Sequence, residues 1–468
     1  MPIFSQNVEH QANPKEIWNW YNSPGAFRRI MPEWEGITPI NAGALRDGEE
    51  IIFKVSLGPI KKKWIARHHD VIEGESFFDR MMKGPFSAWD HQHKFIPGKD
   101  AVTTVSDNVE YKLPFHTLTG WSAGLTVVPR LRQMFHFRST RLTNDLIRIQ
   151  ATFHKPRQKV VVSGSSGMIG LQLCAFLEAA GHDVHRLIRK STKLPPDVNL
   201  NKVIRWDDLS GEIFEGDING FDTVIHLAGA GIADKRWSKK RKKLICDSRV
   251  VSTENLSKLL ASIEKPPRTL LCASSIGIYG NRGDEVLDEQ SKPGNDFLSD
   301  ICLKWENASE RAKDAGINVV HLRTGIVISP LGGALAKLLL PAKLGSAGPI
   351  RGGQQIQSWI SLDDQIYGIH HLMMTDSSEG LYNLTSPNPV SQKQFAKVLG
   401  KVLRRPAFIP LPGFFIRIIF GEMGKKLVLE GQDVRPNRLL ESGYEFTYTD
   451  LETCLRNCLG RVDLTNKI

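Results

Sequence analysis

Two rhythms of apolar and polar positions divide the chain near residue 155. Before it, short alternating runs such as Glu50-Ile51-Ile52-Phe53-Lys54-Val55 and Val102-Thr103-Thr104-Val105 predict antiparallel strands with one buried face. Asn13 as cap and Pro14 in the first turn, ahead of Ile17, Trp18 and Trp20, predict an early helix, and the pattern from Leu125 to Phe137 predicts another. A helix, several strands and a long helix make an α+β order. After Arg157-Gln158-Lys159 the strands become continuously apolar and alternate with helices. Strands are predicted at Lys159 to Ser163, Val184 to Ile188, Lys202 to Trp206, Thr223 to Leu227, Thr269 to Ala273 and Asn318 to Leu322, with helices at Gly167 to Ala180 and Lys242 to Ile263. Strands apolar on both faces imply a parallel sheet covered by helices, the α/β doubly wound architecture of the Rossmann type. From about Ser391 the pattern is mostly helical. The expected units are residues 1–154, 155–390 and 391–468.

Composition agrees with several folded units. The length of 468 residues exceeds one ordinary core. Hydrophobic residues at 41% and charged residues at 24% exclude disordered and fibrous classes. The net charge of +11 suits an anionic ligand, and a nucleotide meets that demand as well as a nucleic acid does. Among the six cysteines there is no C-x-x-C pair, so neither a disulfide framework nor a zinc site is expected. Cys454 and Cys458 share one face of a predicted helix and are expected in its core. The N-terminus lacks a basic region followed by an apolar one, and Leu411 to Phe420 is interrupted by Pro412, Gly413 and Arg417. No membrane span is expected, and a cytoplasmic location is.

The strongest chemical signal is Val160-Val161-Val162-Ser163-Gly164-Ser165-Ser166-Gly167-Met168-Ile169-Gly170, a strand entering a glycine turn and then a helix. Gly164 permits the tight turn, Gly167 lets a pyrophosphate approach the backbone, and Gly170 lets helix and strand pack closely. The helix N-terminus supplies N–H donors to the anion. The end of the second strand chooses between cofactors. It holds Arg189 and Lys190 where an acidic residue would hold the ribose of NAD, so NADP is expected.

From Gln158 to Leu459 the chain resembles the atypical extended short-chain dehydrogenase/reductases known as NAD-dependent epimerase/dehydratase-like proteins. The matching segments are Gly164 to Gly170, Ile225-His226-Leu227-Ala228-Gly229, Arg236-Trp237 through Ser248-Arg249-Val250, Trp305-Glu306, Arg323-Thr324-Gly325, Gly332-Gly333, Ser358-Trp359-Ile360 and Leu429-Glu430-Gly431-Gln432. The resemblance implies cofactor contacts at Met168, Ile169, Arg189, Leu227, Ala228, Arg249 and Val327. It also implies that the last part is the short helical domain of unknown function that ends such proteins.

Catalytic members of that group carry a serine or threonine and a Tyr-x-x-x-Lys, in which lysine lowers the pKa of a tyrosine acting as acid and base. None of the seven tyrosines here is followed by lysine four places on. Counted back from Glu306, the expected positions hold Leu298 and Cys302. The serine side survives in Ala273-Ser274-Ser275-Ile276-Gly277-Ile278-Tyr279-Gly280. Ser275 is the expected polarising group and Tyr279 the expected proton donor, with a purely structural turn as the alternative.

Residues 1–150 resemble the polyketide-cyclase/START-like (SRPBCC) family, through Ala12-Asn13-Pro14, Trp18, Trp64, Gly84-Pro85-Phe86, Trp89-Asp90-His91-Gln92-His93-Lys94-Phe95, Asp107 to Tyr111 and Leu113-Pro114. The resemblance implies a helix-grip fold around a cavity for a hydrophobic small molecule. His91 and His93 share a strand face, half of a metal site, with no third ligand evident in sequence. Seven of the nine residues Lys235 to Lys243 are basic; they coincide with a predicted helix start, so a solvated helix face is expected and not a nucleic-acid partner. The combined expectation is an NADP(H)-binding oxidoreductase or epimerase-like enzyme acting on an unknown small molecule. The rival expectation is a non-catalytic NADP(H)-binding ligand sensor.

Overall fold

The computed structural model describes residues 2–58, 60–114, 123–407, 410 and 413–464. The first part of Leu411 to Phe420 lies outside them. Seven antiparallel strands form the first sheet: β1 (Ile3–His10), β2 (Thr38–Asn41), β3 (Glu50–Leu57), β4 (Ile60–Ile72), β5 (Ser76–Lys83), β6 (Ala88–Pro97) and β7 (Thr103–Lys112), ordered β1-β7-β6-β5-β4-β3-β2. Alternation decides which face is buried. Along β6, Trp89, His91, His93 and Phe95 point inward between more exposed neighbours. The helix Ala123–Gln150 covers that face, with Leu131 and Phe135 against Phe4, Val109 and Tyr111. It runs well past the predicted Phe137. Leu142, Leu146 and Ile149 continue its buried stripe, while the buried polar residues Arg141 and Asp145 break the apolar pattern a sequence reading follows.

The second sheet is doubly wound. Its order is β11 (Ile213–Glu215), β10 (Val203–Trp206), β9 (Asp183–Arg189), β8 (Lys159–Ser163), β12 (Thr223–His226), β13 (Thr269–Ser275), then strands Asn318–Thr324 and Gly380–Leu384. All neighbours are parallel except β11, an antiparallel edge strand that the sequence reading did not foresee. Strand order reverses between β8 and β12, the crevice where such sheets bind ligands. The helix predicted as Lys242 to Ile263 is two, Lys239–Asp247 and Val250–Ser262. They part at Arg249, whose Nη1 donates to the carbonyls of Ala230 and Ile245 and ties the break to the loop after β12.

The two units meet through α2 (Ala26–Ile30), which follows α1 (Pro14–Tyr21) and lies on the helix Met168–Ala179. At Gly25 a Cβ would fall 1.8 Å from the Ala175 carbonyl oxygen, so the approach requires glycine. Beside it lies a fully buried ionic network. Arg29 donates to both oxygens of Asp145 at 2.9 and 2.5 Å and to the Tyr367 hydroxyl at 3.1 Å. Arg141 stands 3.1 Å from both Glu33 and Asp363, and Ser329 donates to Glu33 at 2.7 Å. The C-terminal helices Gln392–Leu403 and Leu451–Cys458 share a core in which Cys454 and Cys458 are buried, as expected. No helix among the described residues is long and apolar enough to cross a membrane.

Candidate functional site

The glycine turn sits at the carboxyl end of β8, against the loop after β12. Gly164 has φ +68°, and a Cβ there would lie 2.6 to 2.8 Å from the backbone of Leu227 and Ala228. At Gly170 a Cβ would lie 2.3 Å from the Gly164 carbonyl oxygen. Both glycines are required by the protein's own packing. Gly167 differs: it is exposed, and a Cβ there would meet only the Gly164 carbonyl oxygen, at 3.3 Å. It caps the helix Met168–Ala179 in extended conformation with no side-chain hydrogen bond, leaving the first N–H groups of the helix without a side-chain cap. This is a cradle open on the side from which an anion would approach.

The other sequence-derived residues lie on strand ends, loops and helix starts of the same unit. Met168 and Ile169 are half-buried on the first turn, and Leu227 and Ala228 half-buried in the adjoining loop. Arg189 and Lys190 stand exposed at the end of β9, and Lys190 Nζ lies 4.9 Å from the centre of the Phe214 ring. Arg249 packs over Trp305 at 5.0 Å; burial pulls its pKa below the usual guanidinium range. Val327 is half-buried on the short strand Ile326–Ile328, and the neighbouring Gly332 lies against Met168. Sequence reasoning missed Arg186, whose Nη1 donates to the Ser165 carbonyl at 3.2 Å and supports the turn from below. It also missed the N-terminal unit's part: a cavity of about 300 Å³ is bounded by Met31 and Pro39 on one side and Ser166, Met168 and Leu331 on the other. No periodicity in the chain signals a contact between units.

Ser275 and Tyr279 of the catalytic expectation have different surroundings. Ser275 ends β13, half-buried, its Oγ accepting from the Gly277 N–H at 3.1 Å. Tyr279, the expected proton donor, is fully buried. Its hydroxyl donates to Asn383 at 2.7 Å and accepts from Arg323 at 3.0 Å, and Arg323 is gripped by Glu306 through two 2.8 Å contacts. Burial raises its pKa against the pull of Arg323. Leu298 and Cys302 lie beside Ser275: Leu298 Cβ would be 3.5 Å from a Cβ on Gly277, and the Cys302 thiol lies against the Ser275 backbone. Burial pushes that thiol up to about 12, which removes it as a nucleophile.

Trp359 is buried with its indole N–H on the Asn388 carbonyl. Asp364 accepts from Tyr444, Thr447 and Tyr448 and so pins the C-terminal part. Within the basic run, Trp237 is buried against Phe297, Lys242 pairs with Glu422 at 2.7 Å and Lys243 with Asp247 at 2.5 Å. Part of that charge therefore serves helix packing. His91 and His93 do acquire a third neighbour: Asp79, from β5, brings the ligand atoms of all three within 4.8 Å of one another. The sequence reading had found no such residue, because strand pairing supplied it.

A seven-stranded parallel run with a glycine turn at the switch point defines a dinucleotide-type α/β protein. The description "NAD dependent epimerase/dehydratase family" matches residues 160–385, and "Domain of unknown function (DUF1731)" matches residues 411–458. The chain is 36% identical over 296 residues to the epimerase family protein Mb2239 of Mycobacterium bovis, spanning 63% of this chain and 96% of that protein. It is 34% identical over 302 residues to the epimerase family protein YfhF of Bacillus subtilis, spanning 64% and 98%. The chain belongs to this epimerase family. A solved structure described as a nucleoside-diphosphate sugar epimerase from Corynebacterium glutamicum, 30% identical, superposes with a TM-score of 0.79 over 99% of this chain and 91% of that one. Human epimerase family protein SDR39U1, solved with NADPH, is 31% identical with a TM-score of 0.59 over 65% of this chain and all of that one.

Proposed function

We propose that this protein is an NADP(H)-dependent epimerase-family oxidoreductase acting on a small molecule, with units at residues 1–154, 155–390 and 391–468. The first unit, in this reading, is a helix-grip module that holds a hydrophobic ligand. The observation that carries the cofactor is the contrast among three glycines. Two are forced by internal contacts, and Gly167 alone among them opens to solvent at the helix N-terminus. Gly164, Gly167, Met168, Ile169 and Gly170 would cradle the pyrophosphate, Arg189 and Lys190 would meet the 2′-phosphate, and Leu227, Ala228, Arg249 and Val327 would line the remainder. NADPH in the human relative agrees with that choice. When bound, the cofactor supplies a hydride donor or acceptor. In this reading the chain's own contribution is the Ser275 hydroxyl, which would polarise a carbonyl.

Calorimetric titration with NADPH and NADH tests this reading. Tight NADPH binding abolished by Gly167→Asp supports it, and no binding of either nucleotide refutes it. A second reading, a cofactor-binding ligand sensor without turnover, is favoured by one observation: Leu298 and Cys302 stand where tyrosine and lysine would, while Tyr279 is locked in the Arg323–Glu306 network. NADPH oxidation in the presence of varied carbonyl compounds separates the two.

A further inference from the structure

The N-terminal unit encloses a cavity of about 490 Å³, within the range of small-molecule sites. Its wall is mostly apolar, with Phe27, Phe53, Trp64, Trp89 and Leu131 prominent. The polar groups on it are few, and most are already paired. Glu35 accepts from Arg130, Nε at 2.9 Å, in a two-pronged contact. Asp79 stands 2.6 Å from His68 Nδ1 and 3.4 Å from His93 Nε2. Asp107, behind them, stands 2.9 Å from His91 and from His93. Each of these two carboxylates is thus flanked by two imidazoles.

Arg138 is the exception. It projects from the helix Ala123–Gln150 into this cavity, its Nε is shut off from solvent without a hydrogen-bond partner, and no ion pair to it exists among the described residues. Its Cζ lies 5.1 Å from the centre of the Phe135 ring. Burial pulls its pKa down against the attraction of Asp107. Arg138 is half-buried, and a guanidinium with a desolvated, unpaired Nε in an apolar wall gains from a partner, for which its planar fork matches a carboxylate.

We propose that this cavity takes an apolar small molecule carrying one carboxylate, with the acid docked on the Arg138 guanidinium and the apolar body among Phe27, Phe53, Trp64 and Trp89. The proposal rests on the reading of this unit as a ligand holder, and specifies the class of ligand. A divalent cation at Asp79, His91 and His93 is disfavoured by the same arginine, whose charge acts on both aspartates from within the cavity.

The probes are 2-naphthaleneacetate and its near-isosteric neutral analogue 2-naphthaleneacetamide, titrated into the full-length protein by calorimetry and by quenching of tryptophan fluorescence. The acid is expected to bind about tenfold or more tighter than the amide, as a charge-assisted two-pronged contact requires. Arg138→Gln should reduce that advantage below about threefold while leaving amide affinity in place, which also shows that the variant is folded. Arg138→Lys should keep part of it, and Leu131→Trp, which fills the cavity, should weaken both probes. Equal binding of acid and amide to the unmodified protein, or an undiminished advantage in Arg138→Gln, overturns the proposal and leaves the apolar ligand reading standing. Failure of both probes to bind overturns the two together.

Discussion

Tyr367→Phe removes one oxygen from the junction between the two sheets and leaves the ring. The hydroxyl is fully buried on the helix Leu362–Met374, donates to Asp145 at 2.6 Å and accepts from Arg29 at 3.1 Å, both residues of the N-terminal unit. Burial, reinforced by Asp145, keeps it a phenol. Phenylalanine preserves the edge contact with Phe176, 5.2 Å between centroids, so no cavity is made. The loss is two hydrogen bonds, of which the one to the charged Asp145 dominates at about 1.5–3 kcal/mol, since Arg29 Nη2 keeps its bond to Asp145. Asp145 retains Arg29 and the Trp20 indole N–H at 3.2 Å, which argues for about 2 kcal/mol, toward the lower end of that range. Arg29→Met differs in kind, because it leaves the Asp145 carboxylate buried beside Asp363 without its main counter-ion, and about 3–5 kcal/mol is expected.

Urea unfolding followed by tryptophan fluorescence and far-ultraviolet circular dichroism reads both effects. The two probes matter because a chain of several units need not unfold in one step. The unmodified protein is expected to show coincident transitions, Tyr367→Phe a lower midpoint, and Arg29→Met an early fluorescence transition in which Trp20 and its neighbours report separation of the units. A Tyr367→Phe midpoint within about 0.5 kcal/mol of the unmodified protein refutes the assignment of the hydroxyl as a bridge between them.

Gly25→Ala should prevent proper docking of α2, since its new Cβ confronts the Ala175 carbonyl at 1.8 Å, and limited proteolysis between residues 151 and 157 should accelerate. Arg189→Ala is expected to weaken NADPH by about tenfold with NADH little changed, and calorimetry that finds equal losses contradicts the 2′-phosphate assignment. Arg323→Met leaves Glu306 buried without its partner and should lower stability by about 3–5 kcal/mol, measured by urea midpoint, whereas Tyr279→Phe should be much milder. Burial holds His10, His91, His182 and His226 near 4. Each is depressed from 6.5, so its stability contribution is intact above 6.5 and diminishes as pH falls from there to about 4, where the folded protein also takes up the proton. His93 runs the other way, its pKa raised by Asp107 and Asp79 in spite of burial, so its contribution is lost as pH rises through the raised value. Thermal midpoints should therefore decline steadily from pH 6.5 to 4.5, and a flat profile contradicts the burial argument.

The doubly wound unit was the most legible part of the sequence. Val160, Val161 and Val162 are apolar because helices cover both faces of β8, and the glycines declare themselves because backbone contacts forbid a Cβ at two of them. Strand β11 and the break at Arg249 were not legible. The first is a three-residue edge with Phe214 and Glu215 exposed, and the second depends on a guanidinium reaching Ala230 across the chain. The burial of Tyr279 was not legible for a related reason. Ser-x-x-x-Tyr spacing specifies a turn, and whether the phenol then faces a ligand depends on Arg323 and Asn383, residues 44 and 104 positions away. The Asp79–His91–His93 grouping shows the same limit from the other side, since antiparallel pairing of β5 with β6 places Asp79 opposite His91.

One short segment gives the two cavities a common wall. Ala26, Phe27, Ile30 and Met31 face the N-terminal cavity, and Arg28, Met31, Pro32 and Glu33 face the space beside the glycine turn. The segment is held on one side by Arg29 on Asp145 and on the other by Ser329 on Glu33, so its position is set jointly by the helix Ala123–Gln150 and by the loop after Ile326–Ile328. Met31 borders both spaces, and Met168 borders the second, so ligands in the two would share one wall. Any coupling between the two is reciprocal in binding free energy. The close approach at Gly25 and the buried Arg29–Asp145 pair fix α2 against the Met168 helix, so displacing that wall would cost both.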